Sequence, residues 1–418
     1  KALVCICLNG GNDYANTVVP YDPASHALYQ KFRGALSYGH ESLAATALAP
    51  GAGLLDRAGV PHQYALAPQL AKLLPIFDAG ELGVLLNIGT LVQPTTKAQY
   101  NNGSVKLPPR LLSHNDQQSV WQSSQPEGAT SGWGGRMADL LQDGNANATF
   151  TCINVYGNAV FLSGNQAVQY QVTPAGTVAL AALQQPLFGS SAASSALRAL
   201  MTEPRLHMLE NEYNRISKRS VETNESLTSA MAAAPALKTP FPAGNLLADQ
   251  LRMVARMIGA ASALGARRQV FFVQLDGFDT HTGLLKEHPP LLAKLGEAMA
   301  AFHAATAELA VAGQVTTFTA SDFGRSMTVN TSGSDHGWGS MHFIMGGAVK
   351  GKRFYGTAPV IADGGPDDIG GGRLLPSTSV DQLAATLGAW MGVSDSELLS
   401  LLPNLSNYNS SVRSLGFV

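Results

Sequence analysis

The chain is poor in charge. Of its 418 residues only 13% are Asp, Glu, Lys or Arg, about half of the ~25% usual in soluble domains. The two signs nearly cancel, 27 basic against 29 acidic, so no basic surplus marks a binder of nucleic acid or anionic lipid. Cysteine is scarce as well. Cys5, Cys7 and Cys152 cannot all pair with one another, and Cys5 and Cys7 lie two apart on one strand face, a poor geometry for a bridge. They read as small buried apolar side chains. No apolar run approaches the ~20 residues that cross a bilayer; the longest candidate, Met253 to Ala266, is interrupted by Arg256. What is present is a 45% apolar, turn-rich chain with 43 Gly and 22 Pro, long enough to bury a full core.

Leu3–Leu8 (LVCICL) is a continuous run of β-formers and reads as a central buried strand. A helix-spaced set of apolar residues over Pro68–Phe77 leads to a second strand at Leu82–Ile88, giving a β–loop–α–β unit. A loop over Gln93–Arg110 is followed by a short helix after Ser113 and another over Gly134–Leu141. Thr149–Ser163 reads as two short strands around Gly157. Leu206–Ala234 and Asn245–Leu264 are helical and break the alternation, so an inserted helical layer is expected at roughly 190–265. The rhythm then resumes with strands at Gln269–Leu275 and Gln314–Thr319, a helix over Pro289–Val311, a further strand at His342–Gly346, and a closing helix over Val380–Met391. These features predict one α/β domain over 1–418, with a mainly parallel central sheet flanked by helices.

Ligands of open α/β sheets gather at the carboxyl ends of strands. Three strands here end in turns bearing acids or histidines: Asn12-Asp13, Asp276-Gly277-Phe278-Asp279-Thr280-His281, and Ser321-Asp322-Phe323-Gly324-Arg325. A fourth such turn holds Asp335-His336. Taken singly, Asp13 reads as a cap or turn residue and Asp322 as a partner of Arg325. Taken together, converging carboxylates repel unless a cation joins them, and Asp with His suits Zn, Mn or Fe better than Ca. Gly10, Gly11, Gly324, Gly337 and Gly339 flank these residues, and at least two of them are expected at positive φ.

The segments LVCICLNGGNDYANTVVPY, LLSHNDQQSVWQ, FFVQLDGFDTHTG, ASDFGRS, DHGWGSMHFIMGGAVKGKRFYG and RLLPSTSVDQLAATLGAWMGVS resemble the exported bacterial domain-of-unknown-function family numbered 1501. That family is similar to the alkaline phosphatase and sulfatase superfamily, and it typically carries a twin-arginine export leader. The resemblance implies an alkaline-phosphatase-like fold and a periplasmic or extracellular location, in line with a strand that begins almost at residue 1. It also implies a metal set of Asp13, Asp279, His281, Asp322 and His336. Ser113 falls at the superfamily's nucleophile position, at a helix start that favours a phosphate or sulfate; the alternative is a plain N-cap. His114 and Asp116 beside it would bind metal or orient substrate, and Arg325 would clamp an anion or pair with Asp322.

Two departures bear on this pattern. The mid-chain pair is spaced Asp-x-His, and Phe323 stands where a ligating histidine is common, so one of two metal positions is weakened, exchanged or lost. No Cys-x-Pro-x-Arg occurs, which argues against a formylglycine sulfatase. The resemblance thus implies an exported metal-dependent hydrolase of phosphate or sulfate esters. The alternative is a degenerate member that serves cell-surface assembly or binds an anionic polymer, as a homo-oligomer or with a co-exported partner.

Overall fold

The computed structural model describes residues 1–177 and 180–418. Its centre is a nine-stranded sheet. In spatial order the strands are β10 (Phe354–Tyr355), β2 (Leu82–Gly89), β9 (Ser340–Met345), β6 (Val315–Ser321), β1 (Ala2–Asn9), β5 (Gln269–Asp276), β3 (Cys152–Asn154) and β4 (Tyr170–Gln171), with β11 (Thr378–Ser379) also paired to β2. The pairs β1–β6, β1–β5, β5–β3 and β3–β4 are parallel, as are β2–β10 and β2–β11. Strand β9 alone is antiparallel to its neighbours β6 and β2.

Side chains alternate across β1. Val4, Ile6 and Leu8 enter one core, while Leu3, Cys5 and Cys7 enter the other. An unbroken apolar strand needs cover on both faces, and it has it. Helices α6 (Leu246–Gly259) and α7 (Leu284–Glu308) pack on the first face; α3 (Trp133–Leu141) and α8 (Val380–Met391) pack on the second. Helix α8 starts at Ser379, whose hydroxyl and Gln382 form a capping box. All three cysteines are buried and free, and burial pushes the Cys152 thiol up to about 12.

Several segments differ from the sequence expectation. Strand β2 does not sit beside β1; β9 and β6 lie between them. The 68–77 segment is a 3-10 stretch, Pro68–Leu73, that tightens into a short helix, Leu74–Asp78. Of the two strands expected over 149–163 only β3 forms. The rest becomes a 3-10 turn, Val160–Leu162, pressed on the start of α3. Gly132 permits that approach, since a Cβ there would lie 2.3 Å from the Val160 carbonyl oxygen. Of the helical middle, α4 (Ser191–Thr202) and α5 (Met208–Ala233) pair with each other, whereas α6 joins the layer over β5. Among the described residues no helix is long and apolar enough to cross a membrane.

The functional end of the sheet follows from register. Leu8 aligns with Ser321 and Asn9 with Asp276, so β1, β5 and β6 end together. The turns after β5 and β6 therefore meet. A small antiparallel hairpin, β7 (Arg325–Val329) and β8 (Ser334–His336), folds back beside them and pairs Arg325 with His336. Helix α2 (His114–Ser123) brings its first residue to the same place.

Candidate metal centre

Three histidines converge on one carboxylate. The Nε2 atoms of His281 and His336 lie 3.1 and 3.2 Å from Asp279 Oδ1, and His114 Nε2 lies 3.4 Å from Asp279 Oδ2. His281 Nε2 and His336 Nε2 are 2.8 Å from each other. One donor atom each from His114, Asp279 and His336 fits within 4.8 Å of the others.

The far side of each ring faces an acceptor. His336 Nδ1 is 2.7 Å from the Leu112 carbonyl oxygen, which can only accept, so that nitrogen carries the proton and Nε2 a lone pair. His114 Nδ1 is 2.6 Å from Asp322 Oδ2, and His281 Nδ1 is 3.3 Å from Asp335 Oδ1. Metal-binding imidazoles are held in this way, with the second nitrogen donating to a carboxylate or carbonyl. The Asp322 hydrogen bond raises the His114 pKa above its ordinary value, whereas burial lowers that of His336. Burial also pushes the Asp279 carboxyl up, but Arg325 and the neighbouring histidines outweigh it and hold the group below the usual carboxylate range.

The donor set fits a divalent cation. Tetrahedral Zn–N bonds of about 2.0–2.1 Å place ligand atoms about 3.3 Å apart. The contacts of the histidine Nε2 atoms with Asp279 run from 3.1 to 3.4 Å, and one donor each from His114, Asp279 and His336 falls within 4.8 Å. The His281 and His336 Nε2 atoms, 2.8 Å apart, can share a proton as a hydrogen bond or both turn lone pairs to a cation. Asp279 pairs with Arg325 and Asp335 lies 3.9 Å from Arg373, while Asp322 faces His114, so the charges of the centre are matched in pairs before any ion is added.

The structure distributes the expected site residues over three places. Asp279 and His336 lie in a three-donor set with His114, and His281 stands beside it, its Nε2 2.8 Å from that of His336. Asp322 stands behind it. Its buried carboxylate accepts from His114, from Gln118 Nε2 at 3.0 Å and from the Gly10 amide at 3.2 Å, so it orients a ligand instead of joining the donors. Asp13 lies elsewhere: it is fully buried and paired with Arg33, at the end of α1 (Pro23–Arg33), and that guanidinium is the cation its carboxylate meets.

Arg325 pairs with Asp279 at 2.9 Å and not with Asp322. Four of its five N–H donors go to Asp279, Gly10 and Ser334, and the side chain is fully buried, so it is held as part of the protein frame and not presented to a substrate anion. Ser113 occupies the N-cap of α2, but its side chain caps no amide; the hydroxyl donates instead to Asp116 Oδ2 at 2.9 Å. Phe323 packs against the rings of His114 and His336, with centroids 4.8 and 4.5 Å away.

Asp335, Gln118 and the Leu112 carbonyl were not singled out from sequence. Asp335 adjoins His336 and could have been; a backbone carbonyl leaves no residue signature. Leu112 carries it at φ 73°, a conformation that costs a leucine of order 1 kcal/mol.

Among solved structures, Ps i-CgsB in complex with k-i-k-neocarrahexaose is 11% identical, with 97% of this chain and 76% of that one covered and a TM-score of 0.37. The PsFucS1 sulfatase from Pseudoalteromonas sp. is 8% identical, covering 94% and 68%, with a TM-score of 0.37. The alkaline phosphatase from the Antarctic bacterium TAB5 is 11% identical, covering 82% and 90%, with a TM-score of 0.31. Superpositions this loose leave the chemistry to the chain's own residues. No curated protein matches the sequence. A family match covers residues 1–403, nearly the whole chain, and on it the chain belongs to the family described as "Protein of unknown function (DUF1501)".

Proposed function

We propose that the chain is a metal-dependent hydrolase of phosphate or sulfate esters that works in the periplasm or outside the cell. The observation that carries this reading is the pair of Nε2 atoms of His281 and His336, 2.8 Å apart beside one carboxylate, each ring backed by an acceptor at Nδ1. His114, His281, His336 and Asp279 would hold the ion, with Zn, Mn and Fe as the metals that suit such donors. Bound there, it would polarise an ester oxygen and stabilise the charge that develops on it.

The chain's own groups divide the remaining work. Helix α2 begins at the centre, and its first amides, at His114, Asn115 and Asp116, take no protein acceptor among the described residues. They suit the oxygens of a phosphate or sulfate. Ser113 Oγ is the hydroxyl offered to the ester: as its bond to phosphorus or sulfur forms, the bond to the ester's alcohol oxygen breaks. Asp116 Oδ2, to which Ser113 already donates, takes the hydroxyl proton and can pass it to the departing alcohol, and water then hydrolyses the seryl ester. Leu112 and Asp322 keep His336 and His114 in the tautomer that leaves Nε2 free.

Elemental analysis of the purified protein, followed by hydrolysis of 4-nitrophenyl phosphate and 4-nitrophenyl sulfate, tests this reading. Near-stoichiometric metal and turnover abolished by chelation are expected. Absence of both would favour a non-catalytic assembly role. The observation behind that second reading is the apolar surface of the α4–α5 region, where Phe188 is 96% exposed and Leu206, Met208 and Leu209 are open to solvent. Self-association at low micromolar concentration, or capture of a co-exported partner, would accompany it.

A further inference from the structure

The metal centre lies at one end of a longer polar rim. The carboxyl ends of β1, β5, β3 and β4 stand side by side in that order. They present Asn9, then Gln274 and Asp276, then Tyr156 and Asn158, and finally Gln171. These side chains form two hydrogen-bonded groups. Asn9 Nδ2 and Gln274 Nε2 donate to Asp276 Oδ1 at 2.8 and 2.7 Å, the Tyr156 hydroxyl donates to Oδ2, and Gln171 Nε2 donates to Asn158 Oδ1 at 2.9 Å. Gln118 ties the row to the centre, because its amide donates to both Asn9 and Asp322. Three strand spacings of about 4.8 Å make the rim about 14 Å long.

Its chemistry is selective. Residues 144–197 contain no Asp, Glu, Lys, Arg or His, so Asp276 is the one charge among the six, and three neutral donors already meet it. A rim without cations does not suit a nucleic acid or a polyanion held by its charges. A rim of amides does not suit a lipid. Planar amides and a carboxylate offer paired donors and acceptors to vicinal hydroxyls, and the half-exposed ring of Tyr156 adds an apolar face beside a polar tip.

We infer that this rim binds a carbohydrate chain, and that the ester group acted on at the metal centre is carried by a sugar. The second half rests on the function proposed above; the first does not. Binding through hydroxyls makes the interaction insensitive to salt and independent of the metal.

The test is retention of the full chain on an immobilised panel of neutral, sulfated and phosphorylated oligosaccharides, at low and high salt, after chelation. The wild type should be retained on at least one glycan with little change on adding salt. Tyr156→Ala and Gln171→Ala, both at exposed positions and both checked for wild-type circular dichroism and melting, should each weaken retention by roughly tenfold, the equivalent of about 1.4 kcal/mol. No retention on any glycan overturns the inference. So does retention that salt abolishes, or retention equal in wild type and both variants. Metal content and aryl-ester turnover of the wild type are read separately, so loss of those with glycan retention intact defeats the hydrolase reading and not the rim.

Discussion

His281 and His336 turn their Nε2 atoms toward each other at 2.8 Å, and Asp279 Oδ1 lies within 3.2 Å of both. The arrangement exists only in the folded chain, so a cation that fills it stabilises the fold. At a free Zn concentration a thousandfold above Kd the gain is about 4 kcal/mol. Chelation should therefore lower the melting temperature of the wild type. His336→Ala removes one donor, and its melting temperature should respond little to metal or chelator. A wild type indifferent to exhaustive chelation would exclude a structural role for any ion there.

Asp322 separates an orienting carboxylate from a ligating one. Its oxygens accept from His114, Gln118 and Gly10, so Asp322→Asn should leave the ligand count intact while loosening His114. Metal affinity is expected to fall by about 10–100-fold, the usual cost of losing such a partner. The absorption spectrum of the Co-substituted protein is the check: it should be the same in variant and wild type. A change in coordination number would return Asp322 to the ligand set.

Asp13 gives the opposite contrast. Its partner Arg33 is fully buried beside it, and Arg33→Met strands a carboxylate in the core. Destabilisation of about 3–5 kcal/mol is expected, with metal affinity per folded molecule unchanged. Asp13→Asn in the Arg33→Met background should recover part of the loss. Urea unfolding and metal titration of the three variants decide the matter; a drop in affinity in step with stability would tie Asp13 to the centre after all.

What could be read from the sequence was whatever depends on local pattern. Unbroken apolar runs located β1, β5 and β6, and the polar turns behind them located Asp279, His281 and His336. Pairing order was not local: nothing in Leu82–Gly89 tells it to lie beside an antiparallel β9 instead of beside β1. The roles of Asp13 and Asp322 also escaped, because a strand-end aspartate looks the same whether it meets an ion, an arginine or a histidine. The glycines were legible in part. Gly10 and Gly11 have φ of 118° and 83°, and a Cβ on Gly11 would sit 2.4 Å from Phe323, the residue that floors the centre. Gly324, Gly337 and Gly339 do not need positive φ. They are glycines because backbone passes close by: a Cβ on Gly324 would lie 1.9 Å from the Gly339 carbonyl oxygen.

His342 makes stability depend on pH away from the centre. It is buried on β9, with Nδ1 3.1 Å from Thr319 Oγ1 and its ring edge-on to Trp121 at 5.2 Å. Burial pushes its pKa down to about 3, against about 6.5 in an unfolded chain. Above pH 6.5 the ring is neutral in both states and its contribution to stability is complete. As pH falls below 6.5 the unfolded chain takes up a proton that the folded one refuses, and stability drops by up to about 1.4 kcal/mol per pH unit until the folded value near 3 is reached. His342→Phe keeps a ring against Trp121 and removes the titration. It costs a constant amount for the lost Thr319 partner, but the slope below pH 6.5 should flatten. Urea unfolding of chelated wild type and variant between pH 6.5 and 4.5 measures this: the wild type should lose roughly 2 kcal/mol more than the variant over that range. Parallel curves would mean that the proton is taken up elsewhere.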